Sequence, residues 1–201
     1  MSTDLLTGRA NQKRRTRTAI VGAARDLIGT GGEITMAAVA KSALVSEATA
    51  YRYFPDLPSL LRETLASAWP SPAQAMEPVA HSADPADRVG YAAEFLLRGV
   101  LRNQGAVRAM ISATITRPET APARPGVRFG LIDYALAPLD DPHAPVSHED
   151  LAQLKRDLAV VVSAEALFIL TDLCGLSPDD AIASAVRTAR TLTTAATQAN
   201  A

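Results

Sequence analysis

Apolar positions recur at helical spacing along most of the chain. Ile20, Ala24, Leu27 and Ile28 form one stripe of a helix predicted over 11–28, and Gly29, Gly31 and Gly32 are placed to stop it. Thr35 is suited to cap a short second helix over 37–42, with Val39 and Ala40 facing inward. A turn follows at Ala43, Leu44 and Val45. Ser46 then caps a third short helix over 47–53. A fourth is predicted after Pro55 and Asp56, running through Leu60, Leu61 and Leu65 to about Trp69.

Pro70, Pro72 and Pro78 mark a break. Beyond it, helix starts are signposted. Asp84, Pro85 and Asp87 combine a cap, a first-turn proline and an acid. Ser147 to Asp150 and Ser177 to Asp180 follow similar logic. The expected helices cover about 85–102, 104–116, 126–136, 148–173 and 178–198, with prolines 118, 122 and 125 between the second and third and a loop over 140–146. Gly175 followed by Leu176 suits a glycine C-cap. This places one domain at 1–69 (ordered from about residue 10), a linker at 70–84 and a larger helical domain at 85–201.

Composition agrees. Apolar residues make up 48% of the 201 and aromatics only 4%, with abundant alanine. Such a chain can bury a core and favours helices over strands, so the fold class expected is all-α. A single cysteine, Cys174, excludes an internal disulfide and a multi-cysteine metal site. It is expected as a small buried residue near a helix end. The first residues lack the apolar run of a signal peptide, and the apolar stretch 158–170 is too short to span a bilayer, so a cytoplasmic protein is expected.

The net charge of −1 is unevenly placed. Residues 1–69 hold nine Lys and Arg against six Asp and Glu, whereas 70–201 hold eleven against fifteen. The sharpest concentration is over 9–25, with Arg9, Lys13, Arg14, Arg15, Arg17 and Arg25. A phosphate backbone would reward that end of the chain.

Two short helices joined by a tight turn make a helix-turn-helix, whose second helix presents its N-terminal residues to base edges in the major groove. Those residues are Glu47, Ala48 and Thr49. Tyr51 and Tyr53 can pack their rings and reach phosphates with their hydroxyls. The segment from Thr35 to Phe54, and above all Val45-Ser46-x-x-Thr49-x-Tyr51-x-Tyr53-Phe54, resembles the tetracycline-repressor (TetR-like) family of bacterial regulators. The resemblance covers about residues 10–69. It implies an N-terminal three-helix bundle carrying the helix-turn-helix, then a helical ligand-binding and dimerisation domain. It also implies roles by position. Thr35 would cap the second helix near a phosphate, with Ser46 capping the third. Glu47, Ala48 and Thr49 would face bases, and Tyr51 and Tyr53 the backbone. Lys13, Arg14, Arg15 and Arg17 would lie along phosphates or reach a minor groove.

Two positions depart from the family pattern. Leu44 occupies the turn position usually held by glycine, and a slightly different turn geometry is expected there. Leu57 replaces the lysine that commonly begins the fourth helix, and Asp56 beside it would repel phosphate. The basic N-terminal arm is therefore expected to supply more of the affinity.

In the C-terminal half, Val162, Ala166 and Ile169 on the 148–173 helix and Ile182, Ala185, Val186, Ala189 and Leu192 on the last helix are expected to form a homodimer interface. A two-fold dimer is what a palindromic operator requires. Effector-binding candidates are Tyr91, Phe95, Leu96, Met110, Ile111, Phe129, Tyr134 and Phe168, although such residues on apolar stripes are more often core. Glu165 interrupts a stripe and needs a partner or water: it is a ligand-contacting acid or, more readily, a structural pair with an arginine or an edge position. His81, His143 and His148 have no metal-ligand spacing. Neither a phosphate loop nor a Ser/His/Asp grouping is present, so no metal, cofactor or catalysis is expected. The favoured reading is a homodimeric repressor that binds duplex DNA and is released by a small-molecule effector. A regulator without an effector, and an all-helical carrier or enzyme with a vestigial DNA-binding domain, remain alternatives.

Overall fold

Capping chemistry delimits the short helices. In the computed structural model, which describes residues 3–30, 34–116, 118–119, 125–141 and 146–198, α1 spans Thr3–Thr30 and α2 Met36–Ser42. The Thr35 hydroxyl oxygen accepts from the Ala38 amide at 3.1 Å and starts α2. Ser46 does the same for α3, Glu47–Tyr53, accepting from Thr49 N at 3.2 Å. Asp56 caps α4, Leu57–Ala66, accepting from Ser59 N at 2.7 Å. The first helix begins earlier than the sequence suggests and runs through Gly29. The expected stops at Gly31 and Gly32 lie outside the described residues, as do Pro122 and much of the 140–146 loop.

The chain divides into two compact units, residues 1–68 with 103–125, and 69–102 with 126–201. Among its described residues the first unit has two apolar clusters. Ile20, Ala24, Val39, Ala50, Phe54 and Leu60 form one. Ile28, Leu61, Leu65, Ala106 and Met110 form the other, so α7, Gln104–Thr116, packs with the N-terminal helices. Leu57 is half-buried and touches both clusters, which explains an apolar residue at that position.

The second unit begins at Trp69. The segment expected as a linker holds a one-turn helix α5, Pro72–Ala75, closed by reciprocal Ser71 and Gln74 hydrogen bonds, and buries Ala75 and Met76. Then come α6, Pro85–Arg102, and α8, Val127–Leu136. The remaining helices are α9, His148–Val161, α10, Ala164–Phe168, and α11, Pro178–Gln198. The small residues Ala181, Ala185 and Ala189 let α11 lie along α6. Arg88 is 4% exposed, and its guanidinium donates to the carbonyls of Ala135, Tyr134, Val79 and Ala80 at 2.7–3.2 Å. It thus ties α6 to the end of α8.

The expected single helix over 148–173 is broken. Three consecutive β-branched residues, Val160 to Val162, weaken the helix, and the following Ser163 offers a cap. Ser163 adopts extended backbone, accepts from Ala166 N at 3.0 Å and donates to Val160 O at 2.7 Å. The break frees the Ala159 carbonyl, which Arg128 of α8 takes at 3.3 Å. Glu165 approaches the same guanidinium at 3.6 Å, the arginine pairing anticipated for it. A π-helical turn, Ile169–Leu173, follows. Gly175, at φ +67°, ends it with Leu176 N donating to Leu170 O, a wider loop than the usual glycine cap. Cys174 is exposed at this end, contrary to the buried position expected.

Candidate nucleic-acid interface

The turn between α2 and α3 keeps the geometry that Leu44 was expected to change. Leu44 sits at φ +56° with its side chain 92% exposed. Ala43 N bonds to Val39 O at 2.8 Å and Val45 N to Ala40 O at 3.0 Å, so the turn is tight despite the leucine. Exposure leaves room for the side chain, and the cost is the left-handed backbone alone, about 1 kcal/mol.

Packing of Ala50 and Phe54 into the first unit's core turns the opposite face of α3 outward. Glu47 and Ala48 are exposed at its N-terminus, with Thr49 half-buried behind them. The Ser46 hydroxyl donates to Thr49 Oγ1 at 2.9 Å. Tyr51 is 47% exposed and Tyr53 half-buried. An open groove of about 640 Å³ lies between α1 and α3. Gln12, Lys13 and Thr16 line one side; Val45, Ser46, Thr49, Arg52 and Tyr53 line the other.

The structure therefore joins Lys13 to Ser46, Thr49 and Tyr53. Arg14 lies on the same helix, where it bonds Asn11 at 3.1 Å, and Arg15 is exposed. All these basic residues stand on α1 rather than on an extended arm. Arg17 differs from its neighbours. Its Nε donates to Glu63 Oε1 at 2.9 Å, its Nη2 to Glu63 Oε2, and its Nη1 to Tyr53 O at 3.3 Å, while the guanidinium lies 4.4 Å from the Phe54 ring centre. Thr35 and Asp56 act as caps. Sequence reasoning missed Gln12, Thr16 and Arg52. Arg52 was within reach, because it lies three residues after Thr49 and so shares its face.

The effector candidates are spread over both units. Met110 and Ile111 belong to α7 in the first unit, and Met110 is core there. Leu96 is buried. Tyr91 and Phe95 stack along α6, with ring centres 6.5 Å apart. Phe129 is 53% exposed beneath Arg128, and Tyr134 lies under Arg88. Phe168 is half-buried. An open groove of about 700 Å³ instead runs between α6 and α11, bordered by Glu94, Arg98, Ile182, Val186, Arg187 and Arg190 among others. Glu94 at 2.8 Å and Asp179 at 3.2 Å bond Arg98 and hold its guanidinium above its ordinary pKa. Arg190 lies across Gly90 to reach Asp87.

The interface candidates differ in their burial within the single chain. Val162, Ile182, Ala185 and Ala189 are buried within the single chain, because packing of the second unit's own helices uses the small-residue faces. Ala166, Val186 and Leu192 are half-buried, and Ile169 is 52% exposed. The large exposed apolar residues of this region are Val160, Ile169 and Leu173, at 71%, 52% and 81%.

Solved structures with this arrangement of helices carry regulators. A TetR transcriptional regulator from Rhodococcus sp. RHA1 matches 90% of this chain and 97% of its own length, at TM-score 0.58 and 23% identity. The fold is that of TetR-family regulators. Thermus thermophilus FadR, a TetR-family transcriptional repressor solved with lauroyl-CoA, matches over 86% and 92% at TM-score 0.63 and 21% identity. RolR, solved with resorcinol, matches over 92% and 95% at TM-score 0.55 and 20% identity. No family model and no curated protein sequence matches the chain. Among the described residues no helix is long and apolar enough to cross a membrane.

Proposed function

We propose that the chain is a sequence-specific DNA-binding transcriptional regulator, acting in the cytoplasm as a homodimeric repressor released by a small-molecule effector. The observation that carries this reading is the outward N-terminus of α3. Glu47 and Ala48 are exposed toward base edges, with the half-buried Thr49 behind them, beside a groove bordered by Lys13 and Arg52. Thr49 can donate to a purine N7 or an O6 or O4 acceptor, the Ala48 methyl suits a thymine methyl, and Glu47 can accept from cytosine N4. Lys13, Arg14, Arg15, Arg52 and the Tyr51 and Tyr53 hydroxyls supply phosphate contacts.

Dimerisation fits the exposed Val160, Ile169 and Leu173, which a second copy would cover. An effector fits the second unit, whose α6–α11 groove offers both apolar and charged walls. The structural neighbours FadR and RolR were solved with lauroyl-CoA and resorcinol, which supports ligand response and supplies the first two probes. The test is duplex DNA binding by fluorescence anisotropy across a salt series. Replacing Lys13 and Arg52 by Ala should weaken binding and flatten the salt slope by about two. Unchanged affinity and slope would remove the groove from the interface. Absence of any duplex binding by the wild type would contradict the reading as a whole.

A further inference from the structure

Arg17 has the sequence signature of a phosphate contact, four residues after Lys13 on the same face of α1. Its surroundings point elsewhere. Both carboxylate oxygens of Glu63 receive its fork, the Tyr53 carbonyl takes a third donor, and its flat face rests on the buried Phe54 ring. Tyr53 is the last residue of α3, and the chain leaves it in extended backbone at Phe54. Its carbonyl therefore has no partner further along the helix. Glu63 stands on α4 and neutralises the Arg17 charge, which removes the attraction a phosphate would feel.

We propose that Arg17 is a positioning residue: with Glu63 it clamps the C-terminal end of α3 to α1 and α4, and thereby sets the angle at which Thr49 and Lys13 meet one duplex. This rests on the DNA-binding reading above. Lysine could not replace it, since one ammonium cannot bridge a carboxylate and a carbonyl while lying flat on a ring.

The two roles predict opposite signs at Glu63. Glu63→Gln makes the first unit one charge more positive. Coulomb attraction alone would then tighten binding to every duplex. A positioning clamp predicts weaker binding to the preferred sequence instead. The experiment compares wild type, Arg17→Lys, Arg17→Gln and Glu63→Gln on two probes. One is the best duplex that the wild type selects from a random library, and the other is sheared mixed-sequence DNA. Expected is a loss of about tenfold on the selected duplex for all three variants. Binding to mixed DNA should stay within roughly twofold for Arg17→Lys, with its salt slope unchanged, and should not weaken for Glu63→Gln.

Wild-type affinity in Arg17→Lys, or tighter selected-duplex binding in Glu63→Gln, would overturn the clamp. Amide hydrogen exchange in free protein provides a readout without DNA. The clamp predicts faster exchange over 47–54 in Arg17→Gln and Glu63→Gln, with the amides of α6 and α11 protected as before. Unchanged exchange over 47–54 would overturn it whether or not the protein binds DNA. If Arg17→Gln does not fold, Glu63→Gln alone decides. A wild type that binds no duplex, with exchange altered as expected, would contradict the functional reading and leave the clamp standing.

Discussion

The indole ring of Trp69 occupies the space where Gly99 has no side chain. A Cβ on Gly99 would lie 2.1 Å from the nearest ring atom, and the ring also meets Phe95 edge-on with centres 5.8 Å apart. Gly99 therefore serves as a notch in α6 for the first residue of the second unit. Gly99→Ala should evict the ring and destabilise the protein by about 1–3 kcal/mol, although alanine is the better helix former. Trp69 is the chain's single tryptophan, so its fluorescence reports the eviction directly. A variant with unchanged emission and undiminished stability would contradict the notch.

Leu44 makes the opposite prediction. Its left-handed backbone is a strain that asparagine tolerates better, and its side chain touches almost nothing. Leu44→Asn should raise stability by about 0.5–1 kcal/mol in urea unfolding, with DNA binding retained. A destabilised variant would show that the leucine makes a contact the free chain does not reveal.

Arg88 is buried with four carbonyls and, among the described residues, no carboxylate as its hydrogen-bond acceptors. Arg88→Met would fill much of the volume yet leave those carbonyls without their donors. The expected loss is about 3 kcal/mol or more. Arg88→Lys should recover only part of it, because a single ammonium cannot span four acceptors. Full recovery by lysine would show that charge, and not the fork, holds the site.

In the proposed homodimer, the exposed Ile169 and Leu173 would lie at the centre of the subunit interface. Replacing both by Glu should give a monomer by light scattering and a loss of cooperative operator binding, with little change in the monomer's fold. A dimer surviving both substitutions would place the interface elsewhere.

Much of the first unit was legible because its signals are local. Thr35, Ser46 and Asp56 cap helices through side-chain bonds three residues ahead, and such spacing is visible in a sequence. Leu44 was harder, since exposure decides whether a leucine can stay left-handed, and exposure is tertiary. The break at Ser163 was overlooked because the apolar stripes on either side continue in register. Its signal, three valines followed by a capping serine, competes with that periodicity. Arg17 lay beyond sequence reasoning altogether. Its partner Glu63 is 46 positions away and on another helix. The same holds for the second unit, where periodicity marks which faces are buried but not whether the chain itself or a second copy covers them. Ala185 and Ala189 are covered by the chain itself.

The central claim is that α3 reads a DNA sequence in a two-fold arrangement. Selection of bound duplexes from a random library by the wild-type protein tests it most directly. Enrichment of an inverted repeat is expected, its half-sites spaced by about one helical turn or a multiple, with Thr49→Ala altering the preferred base at a symmetric pair of positions. A pool that stays random, or a preference that Thr49→Ala leaves untouched, would contradict it.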